Sequence, residues 1–172
     1  MTESLKLIIP PEEIRAAVRR LSREIRRDFA GKSPVFVCVL KGAFMFFADL
    51  MRVLRTDFEA DFLQVASYEG SDGGTVVVKK DITSDIAGKD VVVVDGIIDS
   101  GRTARHIIDY LNAKGPSSIR LCALLLREDG PKGLTIDYAG LRVESGFVVG
   151  YGMDYREHYR GLPGIYVIVS GE

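Results

Sequence analysis

The sequence predicts an α/β fold, with a parallel central sheet flanked by helices and a small β-rich hood subdomain. Two apolar runs predict the sheet: residues 35–40 read VFVCVL, and residues 91–94 are four consecutive valines. Such uninterrupted runs are typical of strands that are buried on both faces. Each run is followed by a turn and then by a segment with apolar residues at helical spacing, which is the strand–turn–helix order of a parallel sheet.

The first predicted helix begins at Pro11 and ends near Gly31, and its apolar residues recur at three- and four-residue steps. It is expected to cover one face of the sheet. After the first core strand, Lys41 and Gly42 form a turn, and residues 43–54 form a strongly apolar helix.

Residues 58–68 alternate well enough for a longer strand, and residues 76–82 resume an extended pattern. The segment EGSDGG separates them and is flexible by composition, so we expect a lid loop at about residues 68–80. Residues 104–115 follow the valine run as a helix, and residues 119–128 are the next core strand.

After Gly130 the strand–helix alternation stops and short β-like segments follow. We therefore expect one domain over residues 1–172, with the hood formed mainly by residues 130–172. Cys38 and Cys122 lie in apolar strand-like runs, where free cysteines usually behave as small buried hydrophobic residues, so no disulfide is predicted.

The turn after the valine strand has the residues of a phosphate site. It reads DGIIDSGRT and ends at a helix N-terminus, where free backbone N–H groups, the hydroxyls of Ser100 and Thr103 and the helix dipole favour a phosphate monoester. Gly101 allows the backbone to approach the ligand closely. Neither the Walker loop nor the dinucleotide fingerprint is present. An ordinary capped turn is the alternative, but such a turn does not need two acids and two small residues together.

Two carboxylates, Asp95 and Asp99, stand at the mouth of this turn. They would repel a phosphate if they pointed at it. We therefore expect them to face sugar hydroxyls, a metal or a base.

Composition narrows the class of partner. The chain has 172 residues, of which 47% are hydrophobic, and its formal net charge is −1. It has no general basic character that would favour a nucleic acid or an anionic membrane, so small ligands are the expected partners. There is no leader-like N-terminus and no apolar run of about eighteen residues, which predicts a cytoplasmic protein.

Four separated motifs resemble the type I phosphoribosyltransferases over nearly the whole chain. They are VLKGAFMFFADL at residues 39–50, the pair Ser67 and Tyr68, VVVVDGIIDSGRT at residues 91–103, and FVVGYGMDYREHYRGLP at residues 147–163. The first and last together are typical of the 6-oxopurine branch. The resemblance implies transfer of the 5-phosphoribosyl group from phosphoribosyl pyrophosphate to hypoxanthine or guanine, with Mg²⁺ as cofactor and a homodimer or homotetramer as the assembly.

The resemblance also implies roles for individual residues around the phosphoribosyl group. Asp99 lies beside the purine nitrogen and acts as general base for its proton. Asp95 bonds the ribose hydroxyls and contributes to the metal site. The residues that bind the 5′-phosphate and its ribose are Asp95, Ile98, Asp99, Ser100, Gly101, Arg102 and Thr103.

For the leaving group and the base, the resemblance implies two further sets. Those that bind pyrophosphate are Lys41, Gly42, Ser67, Tyr68 and Arg160, and the family commonly has a cis peptide at Leu40-Lys41. Those that bind the purine are Arg127, Phe147, Val148 and Asp154. Phe147 stacks on the ring, Val148 bonds its edge through the backbone, and Asp154 completes the Mg²⁺ shell through water. Taken alone, Phe147 could equally be a core residue and Asp154 a turn residue.

The chain departs from the family pattern at two positions. Gly96 stands where a second acid normally contacts the ribose, and losing that contact is expected to weaken binding by about 1–3 kcal/mol. Arg127 stands where a lysine usually bonds the 6-oxo group, and arginine fits a single acceptor less easily. The base is therefore left open among hypoxanthine, guanine and xanthine. The alternatives are a transferase for another base such as uracil, or a low-activity regulatory protein that senses nucleotides.

Overall fold

A computed structural model of the chain describes residues 3–55, 58–68 and 75–170. Its helices are α1 (Pro11–Asp28), α2 (Phe44–Leu54) and α3 (Arg102–Asn112). Its strands are β1 (Glu3–Ile9), β2 (Val35–Leu40), β3 (Glu59–Tyr68), β4 (Thr75–Lys80), β5 (Asp90–Ile98), β6 (Ser118–Arg127), β7 (Tyr138–Val143), β8 (Val148–Val149) and β9 (Ile165–Ser170). Within the described residues, no helix is both long and apolar enough to span a membrane.

The main sheet has six strands in the order β4-β3-β2-β5-β6-β7. All neighbours are parallel except β4, which runs antiparallel to β3 at one edge. β3 lies on one side of β2 and β5 on the other, so the direction of the chain across the sheet reverses between β2 and β5. In open α/β sheets, ligands bind at the carboxyl ends of the strands beside such a reversal.

The core strands are buried on both faces, as predicted from their apolar runs. On β2, Phe36 and Cys38 pack into the cluster formed with α1 and α2, whereas Val35 and Val37 pack into the cluster formed with α3. The valines of β5 divide between the two faces in the same way. Cys38 and Cys122 are buried free thiols, which confirms their expected role. The predicted fold class, a parallel sheet between helical layers, is confirmed.

The hood is a second, antiparallel sheet with strand order β1-β9-β8. The strands that form the hood differ from those expected from the sequence. Tyr138–Val143 pairs in parallel with β6 and extends the main sheet, whereas Glu3–Ile9, at the other end of the chain, completes the hood beside β9. The reason is that strand pairing across the length of the chain leaves no local sign in either segment. Of the predicted lid, residues 69–74 lie outside the described residues, and Thr75–Lys80 is the edge strand β4.

One buried acid, Asp61 on β3, anchors the segment that follows β4. Its carboxylate accepts hydrogen bonds from the backbone N–H groups of Thr83 at 2.6 Å and Ser84 at 2.7 Å, as well as from that of Phe62 at 2.6 Å. Burial alone would raise the pKa of Asp61, but these hydrogen bonds outweigh it and lower the pKa to about 2. The carboxylate is therefore charged in the folded protein at all ordinary pH values.

Candidate active site

The predicted site residues gather at the carboxyl ends of three adjacent strands. The Lys41-Gly42 turn follows β2, the loop that begins at Asp99 follows β5, and Arg127 ends β6. β2 and β5 flank the point where the chain direction reverses. The site therefore lies where the topology of the main sheet favours ligand binding.

The loop between β5 and α3 encloses a small cavity of about 100 Å³. Gly101 is the N-cap of α3 and has φ 78°, a left-handed conformation that favours glycine. A Cβ atom at Gly101 would lie 2.5 Å from Cβ of Pro131, so the packing also excludes a side chain. The cavity is lined by residues Asp95, Ile97, Ile98, Asp99, Ser100, Gly101, Arg102, Thr103 and Ala104, which include the whole predicted phosphate loop.

Arg105, which the sequence analysis did not single out, braces this loop. It donates from Nη1 to the carbonyl oxygen of Ser100 at 3.2 Å and from Nη2 to that of Lys132. It lies within the first helical turn, where an arginine has no distinctive sequence signal. Its two bonds join the phosphate loop to the segment beyond β6.

A second cavity, of about 580 Å³, opens beside the first, and this volume is typical of small-molecule sites. It is lined by Asp99, Arg127, Glu128, Asp129, Glu144, Ser145, Gly146 and Phe147. The Phe147 side chain is 54% exposed, which excludes the alternative that it belongs to the core. Its ring meets Tyr155 edge to face with centroids 5.2 Å apart. Val148, in contrast, is buried in β8.

Asp99 lines both cavities. Its side chain is 74% exposed, so the carboxylate is accessible to a ligand in either cavity. It forms an ion pair with Arg127, whose Nε lies 3.7 Å from Oδ1 of Asp99. A carboxylate at the junction of a phosphate-sized cavity and a larger one can accept a proton from a group held between them.

Arg127 holds the segment that precedes Phe147. It donates from Nη1 to the carbonyl oxygen of Glu144 at 2.5 Å and from Nη2 to that of Gly146 at 2.6 Å. Both terminal nitrogens are therefore used by the backbone, and the side chain is only 16% exposed. This fork of two donors is a geometry that arginine provides and lysine does not.

Asp95 is partly buried on β5, one residue beyond the part that pairs with β2, and it pairs with Ala123 of β6. Its Oδ1 accepts a hydrogen bond of 2.7 Å from the backbone N–H of Gly96. Burial raises the pKa of Asp95 to about 6, against the opposing effect of the N–H groups of Gly96 and Ile97. The carboxylate therefore remains mostly ionised at neutral pH and available to hydroxyl groups or a cation.

The Lys41-Gly42 turn packs closely against Gly96 and Gly152. The Leu40-Lys41 peptide is cis, as the resemblance implied. A Cβ atom at Gly96 would lie 2.9 Å from the carbonyl oxygen of Gly42, and one at Gly152 would lie 2.6 Å from it. The space that a second acid would need beside Asp95 is therefore taken by the turn itself. An acid could be introduced at Gly96 only if the turn moved.

The loop that follows the hood strand β8 forms an ion-pair network. Oδ1 of Asp154 lies 2.8 Å from Nη2 of Arg160, and Oδ2 of Asp154 accepts a 2.7 Å hydrogen bond from the backbone N–H of Glu157. Glu157 also binds Nζ of Lys41 at 3.0 Å and Nη2 of Arg160 at 3.2 Å. Hydrogen bonds from Lys41 and then from Arg160 lower the pKa of Glu157, which keeps it charged.

Glu157 was not predicted as a site residue, because an acid in an irregular loop has no sequence signal. The network that it forms brings together two of the cations expected to bind pyrophosphate, Lys41 and Arg160. Ser67 and Tyr68 are the last two residues of β3 and so also lie at the carboxyl ends of the parallel strands. Their side chains lie outside the described part of the chain.

The donor set at the site is compatible with Mg²⁺. Among the described residues, no group of three histidine, cysteine or acidic side chains is placed to hold a metal ion. Mg²⁺ is commonly bound by one or two carboxylates, with water and substrate phosphates completing its shell. Asp95 and Asp154 supply carboxylate oxygens of that kind.

Comparison with known proteins agrees with the geometry. Residues 10–156 match the phosphoribosyl transferase domain family. The chain is 37% identical over 169 residues to the hypoxanthine-guanine phosphoribosyltransferase of Streptococcus pneumoniae, which covers 95% of this chain and 92% of that protein. It is 38% identical over 170 residues to the enzyme of the same name from Aquifex aeolicus, which covers 96% of each.

A solved structure gives the same result at the level of the fold. The crystal structure of a hypoxanthine-guanine phosphoribosyltransferase from Bacillus anthracis superposes with a TM-score of 0.91 and 39% identity. The match covers 95% of this chain and 98% of that one. The phosphate loop, the fold and these likenesses agree, and the chain belongs to the phosphoribosyltransferase family of enzymes.

Proposed function

We propose that this chain transfers the 5-phosphoribosyl group from phosphoribosyl pyrophosphate to hypoxanthine or guanine in purine salvage. The C1′–oxygen bond to pyrophosphate breaks, and a C1′–nitrogen bond to the imidazole ring of the base forms. The products are the mononucleotide and pyrophosphate. The observation that carries the proposal is the position of Asp99, which lines both the phosphate-sized cavity and the larger cavity beside Phe147.

The phosphoribosyl group is held by the loop after β5. The hydroxyls of Ser100 and Thr103 and the N-terminus of α3 bind the 5′-phosphate, where the helix dipole favours an anion. Gly101 keeps the backbone close to it. The Asp95 carboxylate accepts hydrogen bonds from the ribose hydroxyls, a role that suits a partly buried and ionised acid.

The base occupies the cavity of about 580 Å³. The exposed ring of Phe147 stacks on the purine, and the backbone of Val148 bonds its edge. Asp99 accepts the proton that the imidazole nitrogen loses as the new bond forms, and passes it to water. Arg127 orders the segment before Phe147 and, through Nε, lies beside Asp99.

The leaving pyrophosphate is bound by Lys41, Gly42 and Arg160, together with Ser67 and Tyr68. Mg²⁺, which we propose as the cofactor, would supply the positive charge that makes pyrophosphate a better leaving group. Asp95 and Asp154 are the carboxylates that would hold it. A cytoplasmic homodimer or homotetramer, as the family resemblance implies, completes the proposal.

The direct test is the rate of pyrophosphate release from phosphoribosyl pyrophosphate and Mg²⁺, with hypoxanthine, guanine, xanthine and uracil in parallel. Turnover with hypoxanthine or guanine, and none with uracil, is the expected result. Preference for xanthine would keep the reaction and change the substrate. Binding of a mononucleotide without turnover of any base would contradict the proposal and favour a regulatory nucleotide sensor.

A further inference from the structure

The two cations assigned to pyrophosphate are both bound by one carboxylate of the protein. Oε1 and Oε2 of Glu157 accept hydrogen bonds from Nζ of Lys41 at 3.2 and 3.0 Å. Oε2 also accepts one from Nη2 of Arg160 at 3.2 Å. Glu157 thus bridges Lys41 and Arg160 through a shared oxygen, as an oxygen of a bound phosphate would.

The backbone places Glu157 in this position at a conformational cost. Residues Arg156, Glu157 and Tyr159 have φ values of 50°, 67° and 74°, in the left-handed region that side-chain-bearing residues rarely adopt. The loop closes through reciprocal backbone hydrogen bonds between Tyr155 and His158, of 3.1 and 2.9 Å. The tight turn and the ion pairs together direct the Glu157 carboxylate toward the pyrophosphate cations.

An anion can displace the Glu157 carboxylate from Lys41 and Arg160. Arg160 is only 19% exposed and is also held by the carbonyl oxygen of Gly152 and by Asp154, so it stays in place when Glu157 leaves. Glu157 is 66% exposed and Lys41 52% exposed. Exposed ion pairs are weak because water and salt screen them. A multiply charged anion therefore competes effectively for the same N–H donors.

We propose that Glu157 is an internal counter-anion that occupies the pyrophosphate position of the empty site and competes with pyrophosphate for Lys41 and Arg160. This inference rests on the proposed function, because that function assigns pyrophosphate to these two cations. Glu157 is a positioning residue. It keeps two like charges together before the substrate arrives, and it weakens the hold on pyrophosphate after transfer, which favours release of the product.

The test is direct binding of inorganic pyrophosphate with Mg²⁺ to the full chain, by isothermal titration calorimetry. Glu157→Gln keeps the shape of the side chain and removes its charge, so its affinity for pyrophosphate is expected to rise about twofold to thirtyfold, the range for losing two exposed ion pairs. Glu13→Gln, which makes the same change in net charge at an exposed position on α1, is the matched control and keeps the wild-type affinity. Glu157→Ala gives a second charge-free variant, with the same expected direction.

Two further readouts separate competition from a general structural role. The advantage of Glu157→Gln over the wild type shrinks as KCl is raised, because the lost interaction is ionic and exposed. In steady-state kinetics, the inhibition constant of pyrophosphate falls by the same factor, whereas the KM of hypoxanthine is unchanged.

Unchanged or weaker pyrophosphate binding by both charge-free variants would overturn the inference. If the wild type binds pyrophosphate and turns over substrate while the variants match Glu13→Gln, the role of Glu157 fails and the proposed function stands. If the wild type neither binds pyrophosphate nor turns over phosphoribosyl pyrophosphate, both fail together.

Discussion

Arg127 is the residue at which the structure and the family pattern make opposite predictions. In the structure, its two terminal nitrogens hold the carbonyl oxygens of Glu144 and Gly146, and so order the segment that leads to Phe147. A lysine is shorter and has a single nitrogen, so in Arg127→Lys it replaces at most one of these bonds. In the family pattern, by contrast, a lysine here bonds the 6-oxo group and should improve binding of the base.

The size of the expected effect follows from the bond that is lost. A hydrogen bond from a charged donor contributes about 1.5–3 kcal/mol. Because each 1.4 kcal/mol is about tenfold in binding, disorder of this segment weakens binding of the base by about tenfold to a hundredfold. Residues 144–147 line the larger cavity, where we propose that the base binds, and not the cavity of the phosphate loop, so the KM of phosphoribosyl pyrophosphate is expected to stay the same.

The assay is a set of initial rates with varied base at saturating phosphoribosyl pyrophosphate, for the wild type, Arg127→Lys and the exposed control Arg23→Lys. Arg127→Lys should raise the KM of hypoxanthine, guanine and xanthine by similar factors, while the control raises none. Amide hydrogen exchange at residues 144–147 should be faster in the variant. A lower KM, or a changed ratio between hypoxanthine and xanthine with normal exchange, would refute the positioning role and support direct contact with the base.

Three other residues give separate predictions. The pKa of Asp61 is about 2 in the folded protein against an ordinary 3.8, so the charged carboxylate contributes about 2 kcal/mol to the free energy of unfolding above pH 4. This contribution is lost as the pH falls toward 2. Acid unfolding of Asp61→Asn should lack it, and a pH profile identical to that of the wild type would contradict the prediction. Gly96→Ala should displace the Gly42 turn and lower kcat/KM for phosphoribosyl pyrophosphate by about tenfold. The control Gly161→Ala, whose Cβ meets no atom within 4 Å, should not lower it. Equal activities of the two variants would contradict the close approach of Gly96 to the Gly42 carbonyl oxygen. Phe147→Ala should leave the Tm nearly unchanged, because the ring is exposed, and should weaken binding of the base by about 1–3 kcal/mol. A large fall in the Tm would instead indicate that Phe147 has a role in the core.

The sequence predicts the layers of this fold because they depend on local pattern. Uninterrupted valines on β5 and the alternation of turn and helix are sufficient to indicate a parallel sheet. The hood was predicted less well, because β1 pairs with β9 across nearly the whole chain. Tyr138–Val143 was assigned to the hood because a short apolar strand has no sign of which sheet edge it will join.

In the site, as in the fold, features set by local sequence could be predicted and features set by contacts between distant segments could not. The phosphate loop is a continuous motif whose glycine, hydroxyls and acids all have local reasons, so its residues could be named in advance. Glu157 and the bonds of Arg127 depend on loops that meet only in the folded chain. The space at Gly96 is a further case, since a missing acid was evident in the sequence but the turn that fills its place was not.

The most direct test of the account is the effect of Asp99→Asn on nucleotide formation from phosphoribosyl pyrophosphate and hypoxanthine. The matched control is Asp109→Asn, an exposed acid on α3 away from both cavities. General base catalysis contributes about 10²–10⁴-fold, so kcat should fall by at least about a hundredfold in Asp99→Asn while the KM of phosphoribosyl pyrophosphate changes little. The control should match the wild type. Retention of near-normal kcat by Asp99→Asn would contradict the assignment of the carboxylate at the junction of the two cavities as the group that takes the proton of the base.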